Sequence, residues 1–322
     1  MLVLYSPPHL EHNPTIEYYD GQATPYAERA ARITSILEGC RSLGIPIQPI
    51  RSKVTARQLH TLHSNHYVDF LQSKCGTIAE GSQLMPSVFI KDTYTPLTKH
   101  TYQAACYAAG LAVTAAGLVA NAEQKVVYAL CRPPGHHAEE DAMMGYCYFN
   151  NAALAAERLT KKGKRVAVLD IDYHHGNGTQ HLFYDRKDVL YVSVHADPAE
   201  AFPYGSGFRN ERGLRGGLGF THNFPLSRSV TPQQYLSTLS QAIRAVQRFE
   251  PDFLVLSLGF DTYKDDTIGG LSLEAKNYVT IGNRIAKGIS CPSVIVQEGG
   301  YNVEMLGVLS AHFLQGYLSI EQ

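Results

Sequence analysis

The chain reads as a three-layer α/β/α domain with a central, mostly parallel sheet, and three observations predict it. From Thr98 onward, stretches of helical composition alternate with short β-branched runs, the element order of a parallel sheet covered on both faces. Those runs end in histidine, aspartate or tyrosine beside glycine, on the edge where open α/β sheets bind ligands. Finally, 322 residues with 44% hydrophobic and 18% charged content support a sizeable core. No internal repeat and no linker rich in Pro, Gly or Ser divides them, so residues 1–322 are read as one domain.

In chain order, Leu2–Tyr5 predicts a first strand, and Pro25–Leu43 a helix with arginine and glutamate on its outer face. Thr55–Gln72 predicts helix carrying His60, His63 and His66. Their spacing invites a metal site, but no carboxylate or strand end stands nearby, so surface or half-buried histidines are expected. Lys74–Pro96 is a loop punctuated by Gly, Ser and Pro, longer than a simple connector and therefore a functional candidate. A helix from Thr98 to about Glu123 leads to strand Val126–Leu130, and helix Ala152–Thr160 to strand Val166–Leu169. Strand Val189–Val194 follows. Helix Pro232–Phe249 feeds strand Phe253–Leu258, helix Leu273–Lys287 feeds strand Ser293–Val296, and a last helix closes the chain.

Composition narrows the function. A formal net charge of −1 gives no electrostatic reason for a nucleic-acid partner. Lys161, Lys162, Lys164 and Arg165 are read as a solvated helix–strand turn. The six cysteines (Cys40, Cys75, Cys106, Cys131, Cys147, Cys291) form no C-x-x-C pair, which suits a reducing compartment and argues against a disulfide framework. Proline breaks the start of the chain too early for a signal peptide. Ala104–Ala122 is too rich in Ala and Gly for a membrane span, and a closely packed buried helix is expected there. A cytoplasmic protein without a membrane partner is the expectation.

The stretch Arg165–Thr179 organises the rest. Its apolar run ends in Asp170, Asp172, His174 and His175, followed by Gly176 and Gly178. Alternate residues of an extended segment face one side, so Asp172 and His174 can address one metal ion. The other strand ends bring His136-His137, His195-Ala-Asp197, Gly-Phe-Asp261 and Glu298-Gly-Gly-Tyr301. Parallel topology gathers them into one site. Asp172, His174 and Asp261 are a three-ligand set, the donor count of a catalytic zinc site with an open position. Such a metal brings bound water to a pKa of about 7 and polarises a carbonyl. His136 and His137 suit general acid–base work, and Tyr301 can donate to a developing oxyanion. Gly299 and Gly300 are expected to bring backbone close to substrate. These parts specify metal-assisted hydrolysis of an amide or ester.

The runs RPPGHH (132–137), DIDYHHGNGTQ (170–180), LGFD (258–261) and EGGY (298–301) resemble the histone deacetylase family in order and spacing. The resemblance covers most of the chain and, through HADPAEAFPYGSG (195–207), is closest to the bacterial acetylpolyamine amidohydrolases. It implies the arginase/deacetylase fold, with zinc (ferrous iron as the alternative) on Asp172, His174 and Asp261. It implies His137 as general base and acid with His136 assisting, and Asp170 paired to His136. Asn177 stands where some members carry aspartate; being an amide, it should hold His137 less strongly as imidazolium. A potassium ion is implied on Asp170, on Asp172 and His174 through their backbone, and on Ser193. Gly145, Tyr146 and Phe202 match a narrow channel for an aliphatic chain, each methylene worth about 0.8 kcal/mol.

The resemblance thus implies a deacetylase acting on a small acetylated amine, acetylpolyamine ahead of an acetyl-lysine peptide. The segment Gly76–Pro96 departs from the polyamine enzymes. There the loop carries acidic residues and shapes a dimer-enclosed mouth; here it is shorter with few acids, which weakens both polyamine selectivity and the expected homodimer. Glu139, Glu140 and Asp141 are either a lure for a cationic substrate or a solvated turn. A catalytically silent binding protein and an arginase-like binuclear hydrolase are the competing classes.

Overall fold

The computed structural model describes residues 1–319. It opens with β1 (Leu2–Tyr5), a hairpin of β2 (Ile16–Tyr19) and β3 (Gln22–Pro25), α1 (Ala31–Ser42), β4 (Ile47–Pro49), α2 (Ala56–Leu59) and α3 (Asn65–Gly76). A two-residue ladder, β5 (Gln83–Leu84) with β6 (Leu97–Thr98), precedes α4 (Thr101–Ala120), β7 (Val126–Ala129) and α5 (Asn151–Leu159). Then come β8 (Val166–Asp170), α6 (Asn177–Phe183), β9 (Val189–Ala196) and β10 (Thr221–Leu226). The chain finishes with α7 (Pro232–Phe249), β11 (Phe253–Leu258), α8 (Ala275–Gly288), β12 (Ser293–Gln297) and α9 (Val303–Leu318).

Eight strands form one parallel sheet in the order β10-β9-β8-β11-β12-β7-β1-β4. Strand alternation splits its side chains between two cores. Ala167 and Leu169 of β8 join Ile33, Leu239, Ile281 and Phe313 on one face, while Val166 and Val168 join Ala109, Ala112, Ala153 and Leu159 on the other. The apolar helix α4 is one of these core helices, its alanines lying against β7 and α5. Helix α7 shows how the outer layer is specified. A Thr231/Gln234 capping box and Pro232 start it, and Tyr235, Leu239, Ala242, Val246 and Phe249 make its buried stripe. The strand order reverses at β8, flanked by β9 on one side and β11 on the other, which opens the crevice where such sheets bind ligands.

Four expectations need correction. The helix expected from Pro25 begins only at Ala31, because Gln22–Pro25 pairs with Ile16–Tyr19 around Asp20-Gly21, both at positive φ (48° and 75°). Its Arg32 is fully buried rather than outward, as is Glu28 just before the helix. Thr55–Gln72 is two helices, and His63 between them is buried; its ring bonds the Glu139 carbonyl (2.8 Å) and accepts from the Asn150 amide (3.0 Å). His60 and His66 are exposed, as expected. Strand β10 and helix α6 went unread: Pro225 and polar residues mask β10, which as an edge strand tolerates proline.

Candidate active site

The ends of β8 and β11 are neighbours, with Asp170 registered against Ser257. Asp172 and His174 leave the first strand and Asp261 the second, and their donor atoms all lie within 4.8 Å of one another. All three residues are buried. Their surroundings are built around the carboxylates: the Gly299 amide donates to Asp172 (2.7 Å) and the Tyr173 amide to Asp261 (3.0 Å). A Cβ at Gly259 or Gly299 would collide with both acids, so these glycines leave room for the ligands. Gly299 therefore serves the ligand cradle, whereas a Cβ at Gly300 would meet Leu306 and Phe260; the cavity wall carries neither glycine.

Electrostatics say what this cluster lacks. Burial opposes ionisation of Asp172, but His136 and His174 outweigh it and hold its carboxyl well below the usual range. Burial and the Asp172 charge push Asp261 up. Two carboxylates this close in a dry pocket repel one another, and a divalent cation is the group that lets both ionise. Two oxygen donors, one imidazole and no thiolate fit zinc or ferrous iron.

Two histidines follow β7. His136 Nδ1 bonds Asp170 (3.0 Å), whose same oxygen accepts from Tyr191 (3.1 Å). Burial lowers the pKa of His136, but Asp172 and Asp170 more than compensate and raise it to about 10. His137 goes the other way: burial, then His136 and His174, push it well below 6.5. Its Nδ1 lies 2.7 Å from Asn177 Oδ1, and the Asn177 amide nitrogen is spent on Glu139 (2.9 Å). The asparagine oxygen thus faces the ring, fixing the proton on Nδ1 and leaving Nε2 as a base. Glu139 also pairs with Lys91 (2.5 Å) and so orients Asn177.

A cavity of about 550 Å³ opens onto these groups, and Gly145, Tyr146, Phe202 and Tyr301 are all on its wall. The Phe202 ring stands 5.1 Å from that of His137, and Tyr146 5.5 Å from that of Tyr301. At Gly145, with φ of 55°, a side chain would strike His137. Burial holds the Tyr301 phenol well above its ordinary pKa, so it stays a donor. His195 and Ser193 lie off the cavity and bond each other (2.7 Å), so β9 adds a buried polar layer instead of a wall.

Two positioning groups were not read from the sequence. Arg32 donates to the carbonyls of Gly300 (2.5 Å) and Glu298 (2.6 Å) and to Glu28 (2.6 Å), pinning the turn that presents Tyr301. Glu298, noticed only as a motif letter, accepts from the amides of Gly135 (2.8 Å) and His136 (3.2 Å), tying the histidine loop to β12. The signal for Arg32 was present: it is four residues before Ile36, on the buried stripe of α1.

Comparisons with known proteins agree with this geometry. The histone deacetylase domain model matches residues 26–317. Acetylpolyamine amidohydrolase 2 of Pseudomonas aeruginosa is 36% identical over the whole of both chains. Histone deacetylase 15 of Arabidopsis thaliana is 32% identical over 89% of this chain and 52% of its own length. The crystal structure of acetylpolyamine aminohydrolase from Burkholderia pseudomallei superposes with a TM-score of 0.93 at 35% identity, covering 99% of each chain. The chain belongs to the histone deacetylase family.

Proposed function

We propose that residues 1–322 act as one catalytic domain that hydrolyses the amide of an N-acetylated polyamine, releasing acetate and the free amine. One observation carries this: a buried Asp172–His174–Asp261 set at the foot of an aromatic-walled cavity, with a neutral His137 and a protonated Tyr301 beside it. Held by those three residues, zinc or ferrous iron would polarise the acetyl carbonyl and acidify a water. The protein's own groups do the rest. His137 Nε2 takes the proton of the attacking water as the carbon–oxygen bond forms, and returns it to the nitrogen as the carbon–nitrogen bond breaks. Tyr301 donates to the carbonyl oxygen as charge gathers there. His136, kept cationic by Asp170, favours that same negative charge.

A potassium ion bound through Asp170, Ser193 and the backbone of Asp172 and His174 belongs to the same reading; Asp170 and Ser193 are register partners across β8 and β9, which supports it. A polyamine is placed ahead of acetyl-lysine in a protein because the relatives matching the full chain are named for polyamines. Among the described residues the three ligands are the one cluster of their kind, which supports a mononuclear hydrolase over an arginase-like binuclear one.

The test is a panel of acetylputrescine, acetylspermidine and an acetyl-lysine peptide, with metal counted per chain. Turnover of the small amines with one transition ion is expected, lost in Asp172→Ala and falling about 100-fold or more in Tyr301→Phe. Peptide-only turnover, or two catalytic ions, sinks the assignment.

A further inference from the structure

Helix α7 carries a second stripe beside its buried one. Gln241, Arg244, Ala245 and Arg248 follow the spacing i, i+3, i+4, i+7 and so share one face. Opposite them, Phe220, His222 and Phe224 alternate along the edge strand β10 and its approach, which turns all three to one side. The two surfaces flank a cleft of about 420 Å³ that Arg165, Leu190 and Phe249 complete. It shares no residue with the active-site cavity. Arg165, Leu190 and Phe220 stand at the starts of β8, β9 and β10, so the cleft lies on the N-terminal side of the sheet, away from the catalytic strand ends.

Its charge has one sign. Arg165, Arg244 and Arg248 are exposed, and no carboxylate lines the cleft. Among the described residues none of these three guanidinium groups has an ion-pair partner. Asp252, the acid beside Arg165, already accepts from Lys164 Nζ and from the Arg165 amide, at 2.8 Å each. The Arg165 guanidinium lies over the Phe249 ring, 4.2 Å from its centroid, which holds that cation at the cleft. Arg244 and Arg248 stand one helical turn apart, where like charges repel. Burial lowers the pKa of the half-buried His222, and Arg212 and then Arg248 lower it further, against the Gly219 carbonyl; this ring already feels the arginine field.

A bound anion would offset that repulsion. Guanidinium forks match phosphate oxygens, and a cleft of this volume is of the size that takes a small molecule. Leu190, Phe220, Phe224 and Phe249 add apolar surface that inorganic phosphate cannot use. We propose that the cleft between β10 and α7 binds a phosphorylated small molecule with an aromatic or other apolar body, its phosphates on Arg165, Arg244 and Arg248 and its body against Phe220 and Phe224.

The test is calorimetric titration of the metal-loaded full chain with ADP, pyrophosphate and adenosine. ADP should bind saturably, with an affinity that falls as salt rises. Pyrophosphate and adenosine, which each carry one half of the recognised chemistry, should bind at least about tenfold more weakly. Arg244→Gln and Arg248→Gln should each weaken ADP about tenfold or more, the factor expected of one charged hydrogen bond, and should melt no lower than the parent. Ala245→Glu, which sets a carboxylate among the arginines, should abolish binding. Arg29→Gln, at the mouth of the active-site cavity, should leave it unchanged. No saturable ADP binding, equal affinity in the Arg244→Gln/Arg248→Gln double variant, or pyrophosphate matching ADP overturns the proposal. A loss of ADP binding in Arg29→Gln would put the ligand at the active site and overturn it as well.

Discussion

Replacing Arg32 with methionine tests whether Tyr301 is held from outside its own loop. Arg32 is fully buried and makes three bonds of 2.5–2.6 Å, to the Gly300 carbonyl, the Glu298 carbonyl and Glu28. Charge-assisted bonds are worth about 1.5–3 kcal/mol each, but their sum overstates the loss, because the buried guanidinium carries its own desolvation cost. Removing one partner of a buried pair costs about 3–5 kcal/mol. Here the low end applies, since Arg132 still bonds Glu28 through its carboxylate (3.0 Å) and its carbonyl (2.8 Å). Methionine fills the stem volume, so cavity formation adds little. Arg32→Met should therefore lose about 3 kcal/mol in urea unfolding, and the Arg32→Met/Glu28→Gln double variant should lose less than the two single losses summed. Because two of the bonds anchor the residues preceding Tyr301, kcat should fall with KM little changed. A loss under about 1 kcal/mol with kcat intact would show that the turn holds itself and that the bonds are incidental.

Three more outcomes follow from the site. Asn177→Asp places a charge beside His137, which should raise its pKa by about 1–3 units. Since His137 acts as a base, the acidic limb of the kcat/KM profile should move to higher pH; an unmoved limb would disconnect His137 from that limb. Chelation should lower the melting temperature, and in the chelated state Asp261→Asn should melt at or above the parent, because it removes the Asp172–Asp261 repulsion; a clear fall instead would mean that repulsion is unimportant. Stability should also drop on acidification. His63 is held neutral by burial, its pKa lowered to about 4, so its contribution is fully present above 6.5 and is lost as pH falls toward 4. That difference is worth about 3 kcal/mol, and burial likewise lowers His9, His12 and His195. His63→Gln should reduce the slope of stability against pH near pH 5 by about 1.4 kcal/mol per unit; an unchanged slope would mean His63 protonates without opening the fold.

What was legible in the sequence, and what was not, has a physical division. Asp172 and His174 are two apart on one strand end, and Asp261 follows the neighbouring strand, so local order plus parallel topology sufficed to bring them together. His137 and Asn177 were also recoverable, because each sits on a glycine-flanked turn after a strand. Arg32 and Glu298 have meaning only through partners supplied by other elements. Arg32 meets Gly300 across 268 positions, and nothing local distinguishes it from a solvated arginine except its place on the apolar stripe.

Glu17 belongs to the same hidden class, for a further reason. A glutamate on a short hairpin reads as solvent-exposed, and only the fold of β2 against the Tyr146 segment makes it a wall. The catalytic half of the site is written at the ends of neighbouring parallel strands, where metal ligands and proton carriers get the placement they need. The cavity wall is assembled from separate segments, the β2–β3 hairpin, the Tyr94 and Tyr146 stretches and the Phe202 loop, so no local pattern marks it. With few acids in Gly76–Pro96, the charge of the cavity wall has to be read from the fold, where the carboxylate lining it is Glu17, buried on β2 and bonded by the Ala27 amide and the Tyr146 hydroxyl.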